Sequence, residues 1–92
     1  MPRPVTVTGI LTIDPTGVSR IVPDNAPGTA GFRLALGSNP IPANAIFQAT
    51  NFLQGRCGFR NPSRVTVTGE FADPPTDQSV IFIKACPHPI PV

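Results

Sequence analysis

The 92-residue sequence contains no tryptophan or tyrosine, only one lysine, and 13% charged residues, about half the usual fraction in a soluble domain. With a net charge of +2 there is no polybasic segment to steer a polyanion. No apolar run approaches the roughly 18 residues of a membrane-spanning helix. An N-terminal signal segment is also missing, so the localisation is unknown, with the cytoplasm as the default expectation.

Proline, glycine and β-favouring residues are abundant instead. Pro and Gly together make up 21 residues, and Val, Ile and Thr make up 25. This composition favours short strands joined by turns and excludes helical bundles and coiled coils. A chain of this length holds one modest core, so we expect a single domain over 1–92, with its core in 5–86 and a proline-rich tail in 87–92.

The sequence repeats a short phrase at an offset of 60 residues. Val-Thr-Val-Thr-Gly occupies Val5–Gly9 and again Val65–Gly69. Each copy begins a strand, a proline turn and a second strand. Two interpretations are open: internal duplication, or convergence of two hairpins on the same strand-forming residues. Convergence is favoured, because the middle of the chain has no second copy.

The first hairpin turns at Asp14-Pro15-Thr16-Gly17, which has the residue preferences of a type I turn. Pairing through this turn places Ile10 opposite Ile21. Strict alternation from Val5 would then turn these two side chains outward. The sequence therefore predicts a β-bulge at Gly9, which brings both isoleucines inward.

The hydrophobic pattern predicts five strands and one helix. The strands are 5–13, 18–22, 32–36, 64–71 and 79–86; a helix of about three turns covers 43–54, and the tail is an unpaired polyproline-like segment. The helix closes one end of the barrel with Ile46, Ala49 and Leu53. The side chains expected inside the barrel are Val5, Val7, Ile10, Ile21, Phe32, Leu34, Leu36, Val65, Val67 and Phe71.

The element order β-β-β-α-β-β, a glycine within strand one, and the Val-Thr-Val-Thr-Gly phrase resemble the OB-fold. This is a mainly β, five-stranded Greek-key barrel that binds oligonucleotides or oligosaccharides. The resemblance spans Val5 to Cys86 and implies one short helix between strands 3 and 4. It also implies a binding role centred on the face of strands 2 and 3, with no catalytic residues.

Residues for catalysis are scarce, so we expect no enzyme. His88 is the single histidine and lies between prolines, while Asp14, Asp73 and Asp77 are explained by turns. No glycine-rich phosphate loop is present. We expect no cofactor and no metal, since Cys57, Cys86 and His88 supply only three of the four ligands of a structural zinc site.

The best candidate site is basic. Arg56, Arg60 and Arg64 recur every fourth residue, with Phe59 among them. Guanidinium groups bind phosphates, and a nearby ring stacks on a base. The predicted ligand-binding residues are Arg20, Arg33, Arg56, Phe59 and Arg60. The alternative is that these arginines only maintain solubility and that Phe59 fills one end of the barrel.

Two functions follow from these observations. The first is a non-catalytic binding module for a polyanion, with single-stranded nucleic acid as the expected partner. The alternative is a structural or protein–protein interaction domain, either on its own or excised from a longer protein, which low charge and a proline-rich end would suit. The oligomeric state is unknown, with a monomer as the default.

A disulfide between Cys57 and Cys86 is the last prediction. A hairpin of strands four and five centred near Pro75 places Arg64 opposite Cys86, and Cys57 lies in the linker that returns to the same end of the barrel. Two reduced thiols are the alternative, since no secretory signal points to an oxidising compartment.

Overall fold

The computed structural model describes residues 4–37, 42–71 and 80–90. The elements in these ranges are β1 (Pro4–Ile13), β2 (Ser19–Pro23), β3 (Phe32–Leu36), α1 (Ala45–Gly55), β4 (Ser63–Phe71), β5 (Val80–Ile83) and β6 (His88–Pro89). The predicted order of five strands and one helix is confirmed, with β6 as an addition. The turn predicted near Pro75 and the start of strand five at residue 79 lie outside the described residues.

The five longer strands close into a barrel. Their order is β1-β2-β3-β5-β4, and β4 pairs again with β1 to complete the circle. The contact of β3 with β5 is parallel, while the other four pairings are antiparallel. Over the described ranges the fold is therefore mainly β, a closed five-stranded barrel with a single short helix between strands 3 and 4.

The two copies of the repeated phrase pair with each other. Val5 lies opposite Gly69, Val7 opposite Val67, and Gly9 opposite Val65, so the segments run antiparallel about a centre at the two valines. Both valines are buried in the barrel. The threonines face outward, and the hydroxyl groups of Thr8 and Thr66 are hydrogen-bonded at 2.8 Å. The repeated phrase thus forms part of the longest strand pairing of the barrel, between β1 and β4.

The glycine that ends each copy marks a place where another strand comes very close. A β-carbon on Gly9 would lie 1.9 Å from the carbonyl oxygen of Val22, and one on Gly69 would lie 2.0 Å from that of Phe82. Pairing with β2 begins at Gly9, and pairing with β5 begins at Gly69. Glycine is needed at both points because any side chain would collide with backbone.

The turn of the first hairpin is one residue longer than a two-residue type I turn. The N–H of Gly17 donates to the carbonyl of Asp14, and the N–H of Asp14 donates to the carbonyl of Val18, both at 3.0 Å. Gly17 has φ +89. This is the three-residue loop in which a type I turn is followed by a left-handed glycine. The irregular residue of the hairpin is therefore Gly17.

The longer turn shifts the pairing by one residue, so two sequence-based predictions are wrong. Leu11, rather than Ile10, lies opposite Ile21. Pairing continues residue by residue through Gly9, so the predicted bulge at that position is absent. Leu11 is fully buried, whereas Ile10 faces outward and is 41% exposed. Strict alternation along β1 needs no bulge once the turn supplies the extra residue.

The other predicted core residues lie inside or against the barrel. The buried interior consists of Val7, Leu11, Ile21, Leu34, Ala49, Leu53, Val65, Val67, Ile81 and Ile83, with Val5, Phe32, Leu36 and Phe71 half-buried against it. Two of the predicted helix contacts, Ala49 and Leu53, close the barrel end. Ile46 differs from the prediction, because it packs on a second cluster formed by Ala35, Ala45, Val80 and Phe82.

The proline-rich tail is partly paired, which corrects the prediction of an unpaired segment. His88 lies opposite Thr66 in β4, and the N–H of Ile90 donates to the carbonyl of Arg64 at 2.9 Å. In an antiparallel pair only alternate residues bond to a given neighbour. Prolines at alternate positions therefore leave the intervening N–H groups available to β4.

Adjacent substitutions test the corrected register. We expect Leu11→Ala to lower the free energy of unfolding by about 2–5 kcal/mol, because the side chain is fully buried. The matched variant Ile10→Ala should cost less than half as much, since Ile10 is 41% exposed. Denaturant unfolding of both variants measures the difference. A larger loss for Ile10→Ala would restore the bulged register.

Candidate functional site

Arg20 and Arg33 form a cross-strand pair on the outer face of the barrel. Their Cα atoms are register partners in β2 and β3. Both side chains point outward, because their neighbours Ser19, Ile21 and Leu34 are fully buried. Like charges directly opposite each other on a sheet destabilise it. The pair thus concentrates positive charge at one place in a chain that has little of it.

The β1–β2 turn beside this pair contains a fixed carboxylate. Asp14 Oδ1 accepts hydrogen bonds from the N–H groups of Thr16 and Val18 at 3.0 and 3.1 Å and from the Thr16 hydroxyl group. The Thr16 hydroxyl bond, the Val18 N–H bond and, to a lesser degree, the charge of Arg20 hold the pKa of Asp14 below its ordinary value of 3.8. Arg20 therefore lies close to the turn.

Phe59 is half-buried on the linker after α1. The end of α1 fixes it, because the N–H of Phe59 donates to the carbonyl of Leu53 at 2.9 Å. Its ring is half-buried and packs against the interior of the barrel. A ring in this position is a poor platform for a base, so stacking on Phe59 stays an unsupported prediction.

Arg56 and Arg60 are exposed on the linker after α1. Arg60 precedes Asn61, whose side-chain amide exchanges two hydrogen bonds with the backbone of Ile13, at 2.8 and 3.0 Å. Thr12, next to Ile13, lies opposite Arg20. Arg60 and Arg20 therefore lie at the same end of the barrel.

Arg64, the third arginine of the run, forms an ion pair with Asp24. Its guanidinium donates two hydrogen bonds to Asp24 Oδ2, that from Nε at 3.0 Å. These bonds and the opposite charges lower the pKa of Asp24 and raise that of Arg64. The ion pair links the segment after β2 to β4, so Arg64 does not add to the arginine pair.

Cys57 and Cys86 are joined by a disulfide with their Cα atoms 5.5 Å apart. The disulfide was predicted from a register that places Cys86 opposite Arg64, and this register is wrong. Ile83 lies opposite Gly69, and the same register continued to Cys86 would place it opposite Thr66. The disulfide ties the linker after α1 to the segment between β5 and β6. It thereby holds Arg60 and Phe59 against the barrel.

Two clefts are found in the described part of the surface, and neither is lined by Arg20 or Arg33. One of about 500 Å³ is lined by Thr6, Val7, Thr8, Pro23, Asp24, Asn25, Ala26 and Phe32. The other, of about 220 Å³, lies beside the disulfide and is lined by Cys57, Gly58, Phe59, Arg60, Ser63, Val65, Pro87 and Pro89. Neither contains a cluster of ionisable groups suited to acid–base chemistry.

Sequence reasoning missed Phe47, which lies on α1 and is 51% exposed. The helix buries Ala45, Ala49, Thr50 and Leu53 on its other side. Phe47 falls outside the apolar face that the helical period predicts, and an aromatic residue at such a position was the available signal. It is a large exposed ring near the β1–β2 turn.

Comparisons with protein-family models, curated proteins and solved structures gave no match to this chain. In the described ranges no three His, Cys, Asp or Glu side chains come together to hold a metal ion. The same ranges contain no helix both long and apolar enough to cross a membrane. The site must therefore be interpreted from its own geometry.

Reduction of the disulfide should destabilise the protein. The bond closes a loop with a sequence separation of 29 residues, worth about 3–4 kcal/mol in the chain-entropy model. We expect reducing agent to lower the free energy of unfolding by this amount, and the double variant C57S/C86S to match the reduced wild type. Alkylation of both thiols in unfolded protein without prior reduction would show that the bond is absent in solution.

Proposed function

We propose that this chain is a non-catalytic OB-like binding module that holds a flexible polyanion, single-stranded nucleic acid, through the Arg20–Arg33 pair. The observation that carries the proposal is the direct cross-strand opposition of these two arginines on the outer face of β2 and β3. Guanidinium groups bind phosphates through paired, charge-assisted hydrogen bonds, so two of them on one face suit a phosphate backbone.

The architecture supports the same proposal. A closed five-stranded barrel with a helix between strands 3 and 4 is compatible with an OB-like fold. Ligands of that fold bind on the face of strands 2 and 3 and on the loops at its rim. Arg20 and Arg33 lie on this face, and the β1–β2 loop borders it. Arg60 extends the positive charge toward the end of β1.

Binding of this kind is weak and sensitive to salt. Each phosphate neutralised on a single strand contributes about −0.7 to the slope of log K against log salt concentration, so two contacts give a slope of about −1.4. Because contacts to phosphate do not read base edges, we expect little dependence on nucleotide sequence.

A protein-interaction domain is the alternative function. The observation in its favour is the exposed Ile10, which has the half-buried Val22 opposite it in β2. A few exposed apolar residues are usual on any soluble domain. The arginine pair is the more unusual feature, because it brings together two of only seven basic residues.

One substitution and its matched control test the proposal. We expect Arg20→Gln to weaken binding of a short oligothymidylate about tenfold at low salt, as expected for loss of a hydrogen bond to a charged group, and to reduce the salt slope by about 0.7. Lys84→Gln removes the same charge from a side chain that is 68% exposed at the end of β5, and it should change the affinity little. Fluorescence anisotropy at two salt concentrations measures both.

Equal effects of the two substitutions would mean that the protein binds through its net charge alone. Absence of binding by the wild type even at low salt would overturn the proposal and leave the interaction domain as the better account.

A further inference from the structure

Phe47 is about half exposed to solvent in a chain that has few aromatic residues. It is one of six phenylalanines, and it is 51% exposed. Phe59 and Phe52 pack against the barrel interior from the same linker and helix. Phe47 is thus the aromatic side chain of α1 whose surface remains open to a ligand.

The ring is held in place by the β1–β2 turn. A β-carbon on Gly17 would lie 3.4 Å from Cδ1 of Phe47, so the ring covers the open side of this glycine. One turn further along the helix, the Thr50 hydroxyl group donates to the carbonyl of Gly17 at 2.8 Å. These two contacts dock α1 on the turn. One side of the ring therefore contacts the turn, and the exposed side keeps a fixed orientation toward solvent.

Phe47 lies at the same end of the barrel as Arg20, because Gly17, the glycine that its ring contacts, precedes Arg20 by three residues. Ile46, its neighbour, packs against the cluster containing Ala35 and Val80, and Val80 is the register partner of Arg33 in β5. The ring thus lies beside the turn, and the helix that carries it packs on β3, the strand of Arg33, through Ile46 and Ala35. Asp14 is the acidic group of this turn, and its carboxylate is occupied by hydrogen bonds of the turn itself.

We propose that Phe47 is a nucleobase-stacking position at the same end of the barrel as the arginines that are proposed to hold the phosphates. The inference rests on the proposed function and deepens it, because arginines alone bind any polyanion, whereas a supported exposed ring favours one that carries unstacked bases. Base–aromatic stacking tolerates every base and strengthens binding by about fivefold or more per base.

The absence of tryptophan and tyrosine allows a direct test. Phe47→Trp introduces a single indole at the proposed position. We expect oligothymidylate to quench its fluorescence, and an abasic oligomer of the same length and charge to leave it unchanged. The wild type should bind oligothymidylate about fivefold or more tightly than the abasic oligomer, and Phe47→Leu should remove this difference.

Thr68→Trp is the matched reporter control. Thr68 is exposed on β4 opposite Thr6, six residues along β1 from the partner of Arg20, or about 20 Å at the rise of a strand. Its indole should not be quenched by either oligomer. Unchanged melting temperatures of the three variants would show that the differences do not come from unfolding.

The two proposals fail in different ways. Equal wild-type affinities for both oligomers, with Arg20→Gln still weakening each, would overturn the stacking position and leave the arginine pair intact. Quenching at Phe47→Trp no greater than at Thr68→Trp would also overturn it. Absence of binding by both oligomers would overturn the proposed function and the stacking position together.

Discussion

The antiparallel pairing of the two Val-Thr-Val-Thr-Gly segments is the interaction on which the remaining structure depends. It places Val7 against Val67 in the core and leaves a threonine ladder outside. At each end a glycine lets the next strand approach to a distance that no side chain would tolerate. The hairpins β1–β2 and β4–β5 are thereby directed to opposite sides of one ladder, and β3 closes the barrel between them.

The position of the proposed binding face follows from this closure. Because β1 pairs with β2 from Gly9 onward and the turn between them has one extra residue, Leu11 faces the core and Arg20 faces outward beside Arg33. The same turn carries Gly17, on which the helix docks through Phe47 and Thr50. In the proposed function, the two arginines and the ring of Phe47 act together on an anionic ligand that carries bases.

Much of the fold could be predicted from local patterns. Alternation identified the strands, the helical period identified α1, and Ala49 and Leu53 were expected to close the barrel. The register of the first hairpin could not be predicted, because a type I turn has the same residue preferences with and without a following left-handed glycine. A difference of one residue in the turn decides whether Ile10 or Leu11 lies opposite Ile21. The tail also escaped prediction, since its pairing depends on which side of β4 its N–H groups face.

The candidate site was predicted only in part. Arg20 and Arg33 were expected to point outward, but their direct opposition depends on the β2–β3 register, which sequence alone does not define. Arg64 was grouped with Arg56 and Arg60 by spacing, whereas a distant residue, Asp24, engages it. Phe47 was overlooked because its environment is created by Gly17, 30 residues earlier in the chain. Contacts of this kind become visible only after the barrel has closed.

The most direct test of the account is a nuclear magnetic resonance titration of isotope-labelled protein with oligothymidylate. We expect amide shifts to change at Arg20, Arg33, Gly17 and Phe47, with smaller changes at Arg60, and to stay constant at Cys57, Gly58 and Val65 beside the disulfide. Changes centred on Cys57, Gly58 and Val65 instead would contradict the assignment of the binding face to β2, β3 and the helix.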